Sequence, residues 1–239
     1  MNVDLEWVGV LRHGQSTGNV AREEAESAGA DVIDIAERDA DVPLTELGQD
    51  QAKAAGVFLA EHPLDLVVTS TYRRAWDTAR LAVPDGVTIV PDERLRDREL
   101  GVLDLLTSHG VQERWPDELR RKRRLGKFYY RPPGGESWAD VVLRLRSVLS
   151  ELSAERPGAR VLLAAHEMTV FALRYLLEGL PEPDLLRAAD ATEVPNGSVT
   201  AWERDRDGGF TMVLAQEVGH LHATDTPPTA DDDAAQQLS

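Results

Sequence analysis

VGVLRHGQSTGN, residues 8–19, opens as an apolar run and stops on an arginine, a histidine and a glycine, with Ser16 and Asn19 just beyond. A buried strand that ends on two cationic side chains delivers chemistry to the carboxyl edge of a sheet. Two other stretches behave the same way. The run at residues 64–68 leads to Thr69 and Ser70, with Arg73 and Arg74 close behind. The run at residues 161–165 leads to His166, with a helix starting near Met168. Together with residues 7–11 these runs read as short buried strands, each followed by an amphipathic helix, which is the pattern of an α/β domain with a largely parallel sheet.

Working outward, Thr45 is an N-cap candidate for residues 46–60, and Ser70 is expected to cap the helix after it. Ser137 with Asp140 forms a capping box. Beyond it Trp138, Val141, Val142, Leu145, Val148, Leu149 and Leu152 follow helical spacing and mark a core face. Residues 198–215 read as two strands around Asp207-Gly208-Gly209, a hairpin at the sheet edge. The expected fold is a three-layer α/β/α domain with a mostly parallel central sheet, an antiparallel edge from that hairpin, and a helical lid or insertion. Residues 1–222 form the expected catalytic domain. Residues 223–239, acidic and poor in bulky apolar side chains, are expected to be a disordered tail.

The 239 residues carry a net charge of -16, 42% apolar residues and no cysteine. The charge argues against nucleic-acid or anionic-membrane partners. No apolar run approaches the length of a membrane span, and nothing suggests secretion, so a cytoplasmic location is expected. The lack of cysteine excludes disulfides, thiolate metal sites and a cysteine nucleophile. Residues 120–127, RRKRRLGK, read as a solvated helix face, with a basic rim for an anionic small molecule as the functional alternative. Residues 20–41 form an acidic insertion with a helical start, either a lid or a solvated loop, whose charge would disfavour highly charged substrates. His220 and His222 read as surface residues.

Arginines, histidines and helix N-termini gathered at three strand ends suit an anion with several oxygens, and phosphate fits best. No glycine-rich nucleotide-binding loop ending in Lys and Ser or Thr is present. A lone histidine after a strand is commonly structural; coincidence at three strand ends argues for a site.

LRHGQSTGN resembles the Arg-His-Gly signature of the histidine phosphatase, or phosphoglycerate mutase-like, superfamily. PLTELGQDQAKAAG, VVTSTYRRAWDTA, LRDRELG, GGESWADVVLR and LLAAHEMTV follow in the family's order. The resemblance implies that His13 is the nucleophile, that Arg12, Arg74 and His166 clamp the phosphoryl group, and that Asn19 contacts the same oxygens. It implies a proton-donating carboxylate at Asp97, where the family usually has Glu, with Glu99 and Asp104 as rivals. Residues 101–141 resemble the bisphosphatase domain that hydrolyses fructose 2,6-bisphosphate, through Arg131-Pro132 and Gly135-Glu136-Ser137. Gly134, Glu167 and Phe171 depart from that domain, which implies a different substrate. Arg131, Glu167, Lys127, Tyr129 and Tyr130 are candidates for contacting its organic part.

In the implied mechanism a neutral imidazole attacks phosphorus while a backbone carbonyl holds its other nitrogen as N–H. Gly14 would let backbone and phosphate come close, and a protonated His166 would join the arginines around the transition state. No metal or cofactor is needed, because the arginines neutralise the charge. The expected partner is a small phosphorylated metabolite, with a second copy of the chain in a homodimer left open. Three readings stand: a metal-independent phosphomonoesterase, a mutase that returns the phosphate to substrate, and a non-catalytic phosphate-binding module.

Overall fold

The computed structural model describes residues 3–230. In chain order its elements are β1 (Trp7–Arg12), α1 (Thr17–Ser27), α2 (Glu46–Ala60), β2 (Leu66–Thr69), α3 (Arg73–Ala82), β3 (Ile89–Pro91), α4 (Ser108–Arg114), α5 (Pro116–Leu125), α6 (Trp138–Glu155), β4 (Arg160–Ala165), α7 (Glu167–Leu173), α8 (Glu182–Ala191), β5 (Val199–Arg204), β6 (Phe210–Glu217) and α9 (Gly219–Ala223). The strand order is β3-β2-β4-β1-β5-β6. The first four strands run parallel, and β5 and β6 add the antiparallel edge.

The central strands are apolar on both faces because helices cover both. Val8, Val10, Leu163 and Ala165 point into a core shared with α6 and α7, while Trp7, Leu11, Leu162 and Ala164 point into one shared with α2 and α3. Continuous apolar runs are the signature of such doubly covered parallel strands. The seven residues expected as the core face of α6 are all buried, and its Ser137–Asp140 capping box is present. Thr45 caps α2 by accepting from Gly48 N.

Ser70 does not cap the helix that follows it. α3 begins at Arg73, and the Ser70 hydroxyl is used one residue earlier, accepting from Tyr72 N at 3.2 Å. The expected tail also differs. Residues 231–239 lie outside the described residues, but the segment before them is tied to the domain. Asn196 N donates to the Thr229 carbonyl at 2.7 Å, and Gln51 Nε2 donates to the Pro227 carbonyl and to Thr229 Oγ1, both at 3.0 Å. These hydroxyls and carbonyls bind buried polar groups, an interaction that charge and apolar content do not register. His220, expected at the surface, is buried with Nε2 bonded to the Gly197 carbonyl at 2.9 Å, whereas His222 is exposed. Among the described residues no helix is long and apolar enough to cross a membrane.

The insertion is not a solvated loop. After α1 it pairs with the excursion that carries α4: Ile33 N donates to the Leu105 carbonyl at 2.9 Å and Thr107 N to the Asp31 carbonyl at 3.2 Å. Gly110 lets the two meet, since a Cβ there would lie 1.9 Å from the Asp31 carbonyl oxygen. The paired segments wall a cavity at the carboxyl edge of the sheet.

Candidate active site

β4 lies between β2 and β1, so the residues following all three strands are neighbours. Arg12 pairs with Ala165 and Thr69 with Ala164 in the register. His13 N then donates to the Ala165 carbonyl at 3.0 Å and Ser70 N to the Ala164 carbonyl at 2.9 Å. The parallel ladder therefore sets His13, Ser70 and His166 side by side. The rings of His13 and His166 meet edge to face with centroids 5.2 Å apart.

His13 is buried, and its Nδ1 lies 2.8 Å from the Gly14 carbonyl. That acceptor fixes the tautomer with the proton on Nδ1 and leaves the Nε2 lone pair available. Burial, with the charges of Arg74 and Arg12, pushes its pKa well below the ordinary value, against the opposing Gly14 bond. The imidazole is neutral and therefore nucleophilic at neutral pH.

Gly14 serves a different purpose from the one expected. It does not line the cavity; a Cβ at Gly14 would lie 2.2 Å from the Gly48 carbonyl oxygen, and one at Gly48 would lie 1.9 Å from that of Gln15. The two glycines let the start of α2 pack directly on the loop after β1. Gly14 N donates to Thr78 Oγ1 of α3 at 3.0 Å, which closes the loop from the other side.

Arg74 projects from the first turn of α3, buried against the cavity that it lines. Its Nη1 donates to Asp39 Oδ1 at 2.8 Å and to the Asp39 carbonyl at 2.7 Å, and its Nη2 donates to Asp97 Oδ2 at 3.0 Å. The same Asp97 oxygen faces His166 Nδ1 at 3.2 Å, and His166 Nε2 is bonded to Ser70 Oγ at 3.0 Å. Burial alone would raise the Asp97 carboxyl, but the contact from His166 Nδ1 and the Arg74 guanidinium hold it well below the usual carboxylate range. His166, expected to be protonated, is pushed down by burial despite the pull of Asp97. Without a bound anion the site therefore holds neutral imidazoles and an ionised Asp97.

Arg12 is buried at the end of β1, donates to the Val194 carbonyl and lines the cavity. Asn19 and Glu167 also line it. Asn19 Oδ1 accepts from Ser16 N at 2.8 Å as part of the capping box of α1. His166 meets His13 and Asp97 without itself lining the cavity, and Arg131 is not brought to the site at all: its guanidinium is engaged by Asp140 at the start of α6. The other candidates lie elsewhere too. Lys127 pairs with Asp190, Tyr130 is buried and donates to Glu118, and Tyr129 is exposed. None of residues 120–127 lines the cavity. Glu99 accepts from the Tyr72 hydroxyl at 2.7 Å, so it is tied away from the imidazole pair that Asp97 joins.

Asp39, Arg22, Gln51 and Asn196 were not legible as site residues. Arg22 follows Asn19 by three positions on α1, a spacing that shares a helix face and would have placed it at the cavity. Asp39 sits in an aperiodic acidic loop and carries no local signal. Gln51 and Asn196 brace the nucleophile loop from behind: Gln15 N donates to Gln51 Oε1 at 2.8 Å, and Asn196 Nδ2 donates to the His13 carbonyl at 3.1 Å. A buried glutamine on the apolar face of α2 was the available clue.

His13, Asp97 and His166 offer ligand atoms within 4.8 Å of one another, a spacing able to hold a divalent cation. The guanidiniums of Arg12 and Arg74 beside them favour an anion instead. A cradle of guanidiniums, imidazoles and one carboxylate can bind a tetrahedral oxyanion, attack it and move a proton.

The family model described as the histidine phosphatase superfamily (branch 1) matches residues 8–217. A 2,3-bisphosphoglycerate-dependent phosphoglycerate mutase from Gloeobacter violaceus is 33% identical over 215 residues, covering 86% of this chain and 89% of its own length. A glucosyl-3-phosphoglycerate phosphatase from Mycobacterium tuberculosis is 33% identical over 181 residues, covering 72% and 75%. The solved mycobacterial glucosyl-3-phosphoglycerate phosphatase in complex with VO3 superposes with a TM-score of 0.71 at 29% identity, covering 89% of this chain and 100% of its own.

Proposed function

The chain belongs to branch 1 of the histidine phosphatase superfamily, and from that membership we propose that it is a cytoplasmic phosphomonoester hydrolase working through phospho-His13. Phosphatase or mutase activity is common to its relatives; the choice of water as acceptor is this reading's own. The observation that carries it is the neutral, buried His13, its Nδ1 held by Gly14 and Asp97 and Arg74 beside it.

In this reading Nε2 attacks phosphorus and the phosphorus–oxygen ester bond breaks, its electron pair leaving on the alcohol oxygen. Arg12, Arg74, His166 and Asn19 hold the three equatorial oxygens; removing one such donor typically costs about 3–4 kcal/mol of barrier. Asp97 gives a proton to the leaving oxygen, which contributes roughly 10²–10⁴-fold. It is ionised before substrate arrives, so it must first gain that proton. An entering phosphate draws Arg74 to itself and sets its own negative charge beside Asp97, which raises that carboxyl so that it takes a proton from solvent or from a monoanionic ester. Asp97 then accepts a proton from the water that attacks phospho-His13; the nitrogen–phosphorus bond breaks and its electron pair returns to the ring. The two guanidiniums supply the positive charge, so EDTA is expected to leave the rate unchanged.

The test is rapid quench with ³²P-labelled phosphomonoester. Acid-labile label on His13 followed by inorganic phosphate is expected. Product analysis with 3-phosphoglycerate separates the mutase, which the names of several relatives favour: isomer with little free phosphate, and dependence on a priming bisphosphate, would overturn the hydrolase.

A further inference from the structure

We infer that the organic part of the substrate is non-anionic and bears hydrogen-bond donors, hydroxyl or ammonium, and that Asp39 is the residue that rejects carboxylated and doubly phosphorylated esters. The inference rests on the hydrolase reading for the position of the phosphoryl group. Both terminal nitrogens of Arg74 already donate to carboxylates, Asp39 on one side and Asp97 on the other. Asp39 is supplied by the insertion, its carboxylate 42% exposed and facing the cavity beside the buried guanidinium. The charge of the cradle is thus balanced before any substrate enters.

Beyond the cradle the cavity wall is acidic. Glu37, Asp39, Glu99 and Asp104 line it. Burial and the charges of Asp39 and Glu99 raise the Asp104 carboxyl, a consequence of crowding like charges on one wall. The arginines on this side offset them only in part: Arg22 draws the Asp104 carboxyl back down. Arg98 turns its Nε to the Glu136 carbonyl at 2.8 Å. Arg22 remains, and its Nη1 is buried with no hydrogen-bond partner. A buried unpaired donor is costly and suits an oxygen acceptor on the ligand. Ile33, Ile35, Leu100 and Leu105 close the rest of the wall. A second anionic group on the ester would meet four carboxylates and a low-dielectric surface; hydroxyl or ammonium groups would find acceptors on the carboxylates, and a hydroxyl would also find the Arg22 donor.

The test uses four probes: p-nitrophenyl phosphate, glycerol 1-phosphate, phosphoethanolamine and 3-phosphoglycerate. Turnover by wild type and binding to His13→Ala protein are both measured at low salt. Glycerol 1-phosphate and phosphoethanolamine are expected to exceed 3-phosphoglycerate about tenfold or more in kcat/KM and in affinity. Asp39→Asn should shrink that ratio about tenfold by improving 3-phosphoglycerate. Equal or better handling of 3-phosphoglycerate by wild type overturns the inference. So does an Asp39→Asn variant that loses all four probes alike, since Asp39 would then only position Arg74. Failure of the hydrolase reading looks different: 3-phosphoglycerate is isomerised with little free phosphate, or p-nitrophenyl phosphate is not turned over and no label reaches His13, while the order of binding affinities still decides the question of charge.

Discussion

His13→Ala removes the side chain whose Nδ1 is held by Gly14 and whose Nε2 lone pair is left available beside Asp97 and His166. Turnover and label trapping are expected to vanish in it, and retained activity would sink His13 as nucleophile. Because its pKa lies below the ordinary 6.5, the imidazole stays unprotonated into mildly acidic solution. The acid limb of kcat/KM is therefore expected below pH 6.5; a limb at or above that value would mean that His13 is not the group titrating. Asp97→Asn is expected to slow alkyl phosphates more than aryl phosphates, whose leaving groups need less protonation, and equal slowing would move the proton donor elsewhere. Asp97 is one methylene shorter than the family's usual Glu, yet it reaches both Arg74 and His166.

At the scale of elements, the site depends on α2 packing backbone to backbone with the loop after β1 and on α3 holding that loop through the Thr78 hydroxyl. Gly48→Ala would drive a methyl into the Gln15 carbonyl. An overpacking cost of about 1–3 kcal/mol is expected, with a larger fractional loss of kcat than the melting temperature alone explains, because the loop moved is the one carrying His13. Chemical denaturation beside steady-state kinetics checks both. Ser137→Ala, by contrast, should cost about 1 kcal/mol through loss of the α6 cap with kcat unchanged, since the cap does not touch the cavity. The helices were legible where apolar periodicity and a capping residue coincided, as at Thr45 and Ser137. Ser70 misled because a serine after a strand looks the same whether its hydroxyl caps a helix or, as here, bonds His166.

At the scale of the whole molecule, residues 224–230 strap the domain shut behind the nucleophile. Thr229 Oγ1 donates to Asn196 Oδ1 and accepts from Gln51 Nε2, both at 3.0 Å, and those two side chains in turn hold His13 and Gln15. Thr229→Val is expected to lower kcat severalfold with little change in KM and to cost about 1–2 kcal/mol of stability; unchanged kcat would show that the strap carries no positional load. Stability should also fall on acidification. The folded pKa values of His13, His166 and His220 lie below 6.5, so the unfolded chain binds more protons below that pH and is favoured as pH drops through the window. A melting temperature that stays flat from pH 7.5 to 5.5 would contradict three buried neutral imidazoles. The sequence by itself determined the α/β architecture, the three strands and the residues at their ends, because both-face burial and helix capping leave local patterns in residue type and spacing. Only the tertiary structure decided that Arg131 stays with Asp140, that Asp39 reaches Arg74, and that the C-terminal stretch is a strap. Those choices depend on which distant polar groups meet once the sheet has closed, and hydrogen bonds between distant segments leave no periodicity along the chain.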